Sequence, residues 1–103
     1  MKDLQSLLAS ANKMKEDLEK AQEEMDNTIY QGKAPGDLVT TEVKGNYEVE
    51  KIEIAEELLS VENKEILQDY LVIALNQALK AIKTDAQKQM GDIGKGLNIP
   101  GLF

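Results

Sequence analysis

Hydrophobic residues in the first quarter of the chain recur at alternating spacings of three and four. The positions are Leu4, Leu7, Ala11, Met14, Leu18, Ala21 and Met25. This heptad pattern predicts an amphipathic helix over about residues 3–28, because no Gly or Pro interrupts the chain before Gly32. Such a helix is roughly 39 Å long, whereas a compact domain of about 100 residues has a radius of gyration near 13 Å. Part of the helix must therefore project, or pack against another long helix.

Shorter hydrophobic patterns replace the helical spacing at Thr28. The β-branched and aromatic residues that follow predict a first strand over about residues 29–33. Pro35-Gly36 predicts a turn, in which Pro fixes the first central position and Gly36 tolerates a positive φ at the second. Alternating Val and Thr residues then predict a second strand over about residues 38–44.

A hairpin and a third strand follow. Gly45-Asn46 is a pair typical of a two-residue primed turn, and it predicts a strand over about residues 47–54. The hydrophobic residues of this strand change parity from one pair, Tyr47 and Val49, to the next, Ile52 and Ile54. A β-bulge near Glu50 or Lys51 would keep both pairs on the buried face. Alternatively, the first pair covers the opposite face of the sheet.

A second long helix is predicted over about residues 61–90. All six residues from Tyr70 to Leu75 are apolar, which is typical of a helix that is buried on every side. One small sheet covers only one face, so the first helix or a second copy of the chain must cover the rest. The candidate dimer-interface residues are Tyr70, Leu71, Val72, Ile73, Leu75 and Leu79. Glycines from Gly91 onward predict a tail over residues 91–103 that is flexible or docks late.

The composition limits the chain to a single small domain, residues 1–103, of 11.4 kDa. It has neither Cys nor His, so disulfides, thiolate metal sites and the commonest general base are excluded. No apolar run is long enough to cross a bilayer, and the N-terminus lacks the apolar core of a signal peptide. These features predict a cytoplasmic protein that has no membrane partner.

The charge of the chain is acidic overall but unevenly distributed. A net charge of −7 and a pI near 4.6 would repel a polyanion on average, whereas nucleic-acid binders are usually basic. Residues 58–103 carry five Lys and five acidic residues. Their late part is net basic, because only Asp85 and Asp92 accompany four lysines there, Lys80, Lys83, Lys88 and Lys95.

The sequence offers no arrangement typical of an enzyme. The serines lack a His to act as base, and the side chains of adjacent acidic pairs such as Glu56-Glu57 point apart on a helix. Gly94-Lys95-Gly96 fails the phosphate-loop pattern, because Gln89 stands where the first Gly is required and Gly96 where Ser or Thr is required. We therefore expect no catalytic residue, no cofactor-binding residue, no metal site and no small-molecule substrate.

Taken in order along the chain, these patterns resemble the YbaB/EbfC family of nucleoid-associated proteins. The resemblance spans essentially the whole length, and the G-L-x-I-P-G ending makes it fairly specific. It is carried by a Met-bearing first helix rich in Lys, Glu and Gln, then by Val39 to Gly45, by Val49, Ile52, Ile54, Leu58 and Leu59, by the helix from Lys64 to Ala78 with its Asn76-Gln77-Ala78, and by Gly96-Leu97-Asn98-Ile99-Pro100-Gly101.

The resemblance implies an α+β subunit of α-β-β-β-α order that forms an intertwined, tweezer-like homodimer. It also implies a bacterial protein of the cytoplasm and nucleoid that binds double-stranded DNA with little sequence preference and has no enzymatic activity or cofactor. Two departures bear on loop geometry more than on fold. Ala55 stands where the family often has Asp after the third strand, and Ala34-Pro35-Gly36-Asp37 replaces a Gly-rich loop.

Binding to DNA would depend on contacts between lysines and phosphates, which position a protein without identifying bases. The chain has no Arg, so the commonest specific base contact, Arg to guanine, is absent. The preferred candidates are Lys80, Lys83, Lys88 and Lys95, and the second choice is Lys13, Lys15 and Lys20. Lys13 and Lys20 are seven residues apart and share one stripe of the first helix.

The acidic balance favours an alternative function. The chain could be a dimeric protein-interaction module that binds a protein through its helices and touches DNA weakly or never. Retention on DNA that falls with salt, and that is lost when the late lysines become Glu, would distinguish the two hypotheses.

Overall fold

Two long helices flank a three-stranded antiparallel sheet, which confirms the predicted α+β class and α-β-β-β-α order. The structure, a computed structural model, describes residues 2–97, with side chains over residues 3–92. The elements are α1 (Lys2–Asp26), β1 (Ile29–Lys33), β2 (Val39–Lys44), β3 (Val49–Ile54) and α2 (Lys64–Leu97), joined by short 3-10 turns at Pro35–Asp37, Glu56–Leu58 and Val61–Asn63.

The molecule is elongated. Its longest dimension is 73 Å and its radius of gyration is 19.9 Å, well above the value of about 13 Å for a compact chain of this length. Every residue from Asp3 to Lys13 is exposed, so the first half of α1 projects, in keeping with its length. We call the sheet with α2 up to Ile82 the body, and α1 with the rest of α2 the arm.

Helix α1 ends at Asp26 rather than at residue 28. The side-chain amide of Asn27 donates to the carbonyl of Glu23 at 3.0 Å, and the hydroxyl of Thr28 donates to that of Glu24 at 2.7 Å. These side chains supply donors to the last helical carbonyls, which have no partners within the helix. The chain is then free to enter β1.

Strand β3 contains the predicted bulge. Glu42 is paired with Lys51 and Val43 with Val49, so Glu50 is an extra residue that has no partner on β2. Because residues directly opposite one another share a face of the sheet, Val49 and the later isoleucines of β3 lie on the face that carries Val43. This excludes, for Val49, the alternative in which it covers the opposite face.

The hairpin turn differs from its prediction, and β3 begins at Val49 rather than at residue 47. The amide of Tyr47 donates to the carbonyl of Lys44 at 2.8 Å, and Tyr47 itself has the positive φ, 69°. This is a three-residue loop that ends in a left-handed residue, so the primed turn predicted at Gly45-Asn46 is wrong. Gly45 serves close packing instead, because a Cβ there would lie 1.9 Å from the carbonyl oxygen of Met25.

Helix α2 lies directly on β1 and β2. Gly32 of β1 permits this approach, because a Cβ there would lie 1.8 Å from the carbonyl oxygen of Ala74. The buried hydroxyl of Thr41 donates to the same oxygen at 3.0 Å. Ala74, Ala78 and Ile82 are fully buried at this contact. Small residues on both surfaces thus bring the helix backbone against the sheet.

The hydrophobic core consists of two clusters. The cluster nearer the arm contains buried Met25, Val43, Ala78 and Ile82, with Tyr30, Leu75 and Ala86 packed against them. The cluster at the other end contains buried Ala34, Val39, Leu58 and Ala74, with Leu38, Ile54, Leu67, Tyr70 and Leu71 around them. Both clusters lie between α2 and the sheet, and β3 contributes little to either.

Helix α2 runs from Lys64 to Leu97, whereas residues 61–90 were predicted. Residues 61–63 form a 3-10 turn ahead of it. At the other end, the prediction that the tail begins at Gly91 is wrong up to Leu97. The helix runs beside α1 as far as Asp92, which lines a groove with Asp17, and it continues to Leu97 despite the weak helix propensity of the glycines. The remainder of the predicted tail, residues 98–103, lies outside the described residues.

Candidate nucleic-acid interface

Three of the predicted DNA-binding lysines lie exposed on α2. They are Lys80, Lys83 and Lys88. A helix turns by about 100° per residue, which places Lys80 and Lys83 about 60° apart and on the side opposite the buried Ala78. Lys88 lies on a flank. We call these three residues the α2 lysine face. Lys95 belongs to the same helix, but its side chain lies outside the described residues.

The acidic residue between these lysines is turned into the protein. Asp85 lies seven residues after the buried Ala78, on the same face of α2. Its carboxylate accepts a hydrogen bond from the hydroxyl of Tyr30, and the side-chain amide of Gln89 lies 3.4 Å from the same oxygen. Burial, reinforced by this hydrogen bond and the charge of Asp85, raises the pKa of Tyr30 from 10.0 to about 12. The carboxylate is thus held by β1, away from the α2 lysine face.

The outward side of α2 is therefore free of carboxylates over more than five turns. Between Asp69 and Asp92 the only acidic residue is Asp85, which is the one bound to Tyr30. In the charge balance drawn from the sequence, Asp85 offset one of the lysines. Its spacing of seven from Ala78 could have indicated the inward position, but nothing in the sequence indicated Tyr30 as its partner.

Ion pairs between described side chains occur on the sheet and not on the α2 lysine face. The ammonium of Lys44 lies 2.9 Å from the carboxylate of Glu50, and that of Lys51 lies 2.6 Å from Glu53. A hydrogen bond to each carboxylate raises the pKa of both lysines and lowers that of Glu53. Lys44 and Lys51 therefore have carboxylate partners already, whereas the described lysines of α2 form no ion pair.

The second-choice lysines of α1 are less well placed. Lys13, Lys15 and Lys20 are all exposed, but the structure does not gather them on one face. Lys15 lies about 200° around the helix from Lys13. Lys20 lines the groove between the two helices together with three acidic residues, Asp17, Glu24 and Asp92. Helix α1 therefore adds little positive potential to the arm.

The candidate dimer residues of α2 divide into two groups. Tyr70, Leu71 and Leu75 pack against the core clusters of their own chain. The other three, Val72, Ile73 and Leu79, are exposed by 57%, 44% and 37%. The sequence did not indicate this division, because all six residues from Tyr70 to Leu75 are apolar. Such a run does not distinguish the positions that the sheet covers from those that stay exposed.

An uncovered apolar surface lies beside α2. Val49 and Ile52 lie on the face of the sheet that carries α2, yet they are 49% and 43% exposed because α2 covers β1 and β2. The side chain of Gln77 accepts a hydrogen bond from the amide of Lys33 on β1. Gln77 therefore marks the side of α2 that faces β1. Leu79 lies about 200° around the helix axis from Gln77, on the side that faces β3.

Val72 is seven residues before Leu79 and lies on the same side of α2. We call Val49, Ile52, Val72 and Leu79 the uncovered patch. Ile73 lies about 40° from Gln77, on the β1 flank of the helix, and is not part of it.

The described residues hold neither a candidate metal site nor a candidate membrane span. No group of three or more acidic side chains is arranged to hold a metal ion. No described helix combines the length and apolar character needed to cross a membrane.

Comparison with known proteins assigns the chain to a family. Residues 1–97 match the model of the YbaB/EbfC DNA-binding family, so the chain belongs to that family. A nucleoid-associated protein of Rickettsia prowazekii is 39% identical over 103 residues, which cover 100% of this chain and 96% of the relative. Another, from Alkaliphilus metalliredigens, is 35% identical over 101 residues, which cover 98% and 89%.

The fold also matches an experimental structure. The crystal structure of an uncharacterized Helicobacter pylori protein is similar to this chain with a TM-score of 0.69 and 29% sequence identity. The match covers 81% of this chain and 96% of that protein.

Proposed function

We propose that this chain is a nucleoid-associated protein that binds double-stranded DNA as a homodimer, with little or no sequence preference. The observation that carries the proposal is the α2 lysine face, which is exposed and has no outward carboxylate between Asp69 and Asp92. Membership of a DNA-binding family and the names of the relatives support the same partner. The site of action would be the bacterial nucleoid.

Binding would occur through phosphates. Each ammonium of the α2 lysine face replaces counterions at the DNA backbone, and the release of these ions supplies affinity that falls as salt rises. Lys is a point charge without the two-pronged geometry that Arg uses on guanine. Since the chain contains no Arg, base discrimination should be weak. The net charge of −7 makes the orientation of the α2 lysine face toward DNA essential.

Dimer formation would bury the uncovered patch. Exposed apolar surface of this kind marks interaction sites, and a two-fold axis lets one patch cover its own copy. The patch includes parts of β3 and α2 that the monomer leaves open beside its core. A dimer would also double the number of lysine faces available to one duplex.

Fluorescence anisotropy of a labelled duplex of about 30 base pairs tests DNA binding. We expect affinity that weakens as salt rises and that is equal on a scrambled duplex. The double variant Lys80→Glu/Lys83→Glu should abolish binding at salt where the native chain binds. The matched control, Lys33→Glu/Lys64→Glu, changes net charge equally at exposed positions outside the α2 lysine face and should lose much less.

Failure to bind at low salt would overturn the DNA proposal and favour the protein-interaction module. Equal losses in the two double variants would show that net charge, and not the α2 lysine face, sets the affinity.

Light scattering tests the dimer. We expect a species of about 23 kDa, which is twice the 11.4 kDa chain, and a monomer for Ile52→Glu/Leu79→Glu. These side chains are already exposed, so the variant should fold, as circular dichroism would verify. Ile73→Glu, on the β1 flank, should leave the dimer intact. If Ile73→Glu alone dissociates it, the uncovered patch is the wrong surface.

A further inference from the structure

Asp85 lies one turn of α2 before Lys88, a member of the α2 lysine face. The two residues are three positions apart, a spacing at which opposite charges on a helix are neighbours and attract. They are separated by about 60° around the axis and by about 4.5 Å along it. The other positions three or four residues from Asp85 are uncharged, namely Ala81, Ile82 and Gln89. Without another partner, Asp85 would be expected to pair with Lys88.

The structure gives Asp85 a different partner. Its carboxylate accepts a hydrogen bond from the hydroxyl of Tyr30, and the side-chain amide of Gln89 lies 3.4 Å from the same oxygen. Asp85 and Lys88 form no ion pair, since the ion pairs between described side chains lie on the sheet. The carboxylate is therefore turned away from Lys88, whose side chain is exposed.

The sheet fixes the position of the Tyr30 hydroxyl. Tyr30 is opposite Val43 in the ladder between β1 and β2, so its side chain lies on the face of the sheet that α2 covers. The ring packs against the buried cluster of Met25, Val43, Ala78 and Ile82. Burial is the main cause that raises the pKa of Tyr30 to about 12, so the phenol remains a donor at neutral pH. A hydroxyl of the body thus holds a carboxylate of the arm.

We propose that Tyr30 is a positioning residue for DNA binding, because its hydroxyl keeps the Asp85 carboxylate from pairing with Lys88. The inference rests on the proposed function, since it concerns a lysine that would contact phosphate. A Lys88 already paired with Asp85 would have to exchange a carboxylate for a phosphate, and its contact would release fewer counterions from the DNA. Tyr30 therefore preserves the positive charge of the α2 lysine face without touching DNA.

The salt dependence of DNA binding by Tyr30→Phe tests the proposal. One phosphate contact contributes about −0.9 to the slope of log K against log salt. We expect Tyr30→Phe to make this slope shallower by up to about 1 and to weaken binding several-fold at low salt, because Asp85 would engage Lys88. The matched control, Tyr47→Phe, removes a hydroxyl from an exposed tyrosine of the hairpin and should change neither quantity. Circular dichroism would verify that each variant folds.

Two further backgrounds separate this role from a purely structural one. Asp85→Asn removes the charge that would pair with Lys88, so Tyr30→Phe/Asp85→Asn should bind at least as tightly as the native chain. Lys88→Gln should itself make the slope shallower by about 1, and adding Tyr30→Phe to it should change little. The proposal would be overturned by unchanged binding in Tyr30→Phe, or by a loss that persists undiminished in the Asp85→Asn background.

Nuclear magnetic resonance provides a readout that requires no DNA. The chemical shift of the Asp85 carboxyl carbon should respond to Lys88→Gln in the Tyr30→Phe protein, where the two side chains are paired, and not in the native chain. If this response appears but the native chain fails to bind DNA, the proposed function is wrong, whereas the hold of Tyr30 on Asp85 is upheld. Equal responses in the two proteins, or none in either, would overturn the role of Tyr30 even where DNA binding is observed.

Discussion

The two halves of α2 are one continuous helix in two different environments. In the body, Ala74, Ala78 and Ile82 are fully buried against the sheet. In the arm, no residue from Lys83 to Asp92 is buried, and α1 is the neighbour. The first half is held by close backbone contact, whereas the second is held by a thin stripe of side chains. Stability should therefore be concentrated in the body, and the arm should tolerate change.

The largest expected effect is at the helix–sheet contact. Gly32→Ala should lower the free energy of unfolding by about 3 kcal/mol, because its Cβ would lie 1.8 Å from the Ala74 carbonyl oxygen. Urea denaturation at fixed protein concentration, followed by circular dichroism, measures this. A loss below about 1 kcal/mol would show that α2 can shift on the sheet. The body would then tolerate substitution as well as the arm does.

A comparison of two truncations tests the contrast in side-chain packing. Ile82→Ala removes a fully buried side chain and should cost about 3 kcal/mol in unfolding free energy. Met90→Ala, at a position in the arm that is 47% exposed, should cost about 1 kcal/mol or less. The same denaturation experiment measures both. Equal costs would mean that the arm is packed as tightly as the body.

The junction between body and arm should be sensitive to alkaline pH. Tyr30→Phe should cost about 1–2 kcal/mol near neutral pH, through loss of the hydrogen bond to Asp85. The pKa of Tyr30 is raised from 10.0 to about 12 by folding, so folding favours the protonated phenol. The contribution of Tyr30 is therefore fully present below pH 10 and is lost as the pH rises toward 12.

Unfolding curves of the native chain and Tyr30→Phe at several pH values measure this effect. The difference between the two proteins should shrink over that range. A constant difference would show that the phenol does not titrate differently in the folded state.

The smallest effect is a stabilisation in the arm. Gly91→Ala should raise the free energy of unfolding by about 0.5–1 kcal/mol, because a Cβ at Gly91 meets no atom within 4 Å. Thermal and urea unfolding both report it. This substitution is the same chemical change as Gly32→Ala with the opposite expected sign, so it serves as the control for that variant. A destabilised Gly91→Ala protein would indicate a neighbour at this position.

Local patterns predicted the elements of the fold, while tertiary contacts decided their ends. The Pro35-Gly36 turn has the expected positive φ, 65° at Gly36, and the predicted bulge falls at Glu50. The hairpin turn was mispredicted, because Gly45 is required for an approach by α1 that no local pattern contains. The end of α2 was mispredicted because the glycines from Gly91 onward predicted a helix end, whereas the helix continues through them to Leu97.

The candidate site was only partly predictable for the same reason. The spacing of Lys80, Lys83 and Lys88 is visible in the sequence, and so is the excess of lysine there. The hydrogen bond between Asp85 and Tyr30 joins two residues 55 apart in the chain, and local spacing cannot pair them. The exposure of Val49 and Ile52 depends on which strands α2 covers, which periodicity does not specify.

The continuity of α2 also fixes a rotational phase between body and arm. The helix runs from Lys64 to Leu97 as one element, so the sheet at one end sets the direction in which the lysines point at the other. A single inserted residue after Ile82 would turn everything beyond it by about 100°, so that Lys83 and Lys88 would change direction while Lys80 would not. Seven inserted residues would restore the phase, provided that α1 gained the same length. Changes of arm length in this architecture should therefore come as matched pairs of heptads.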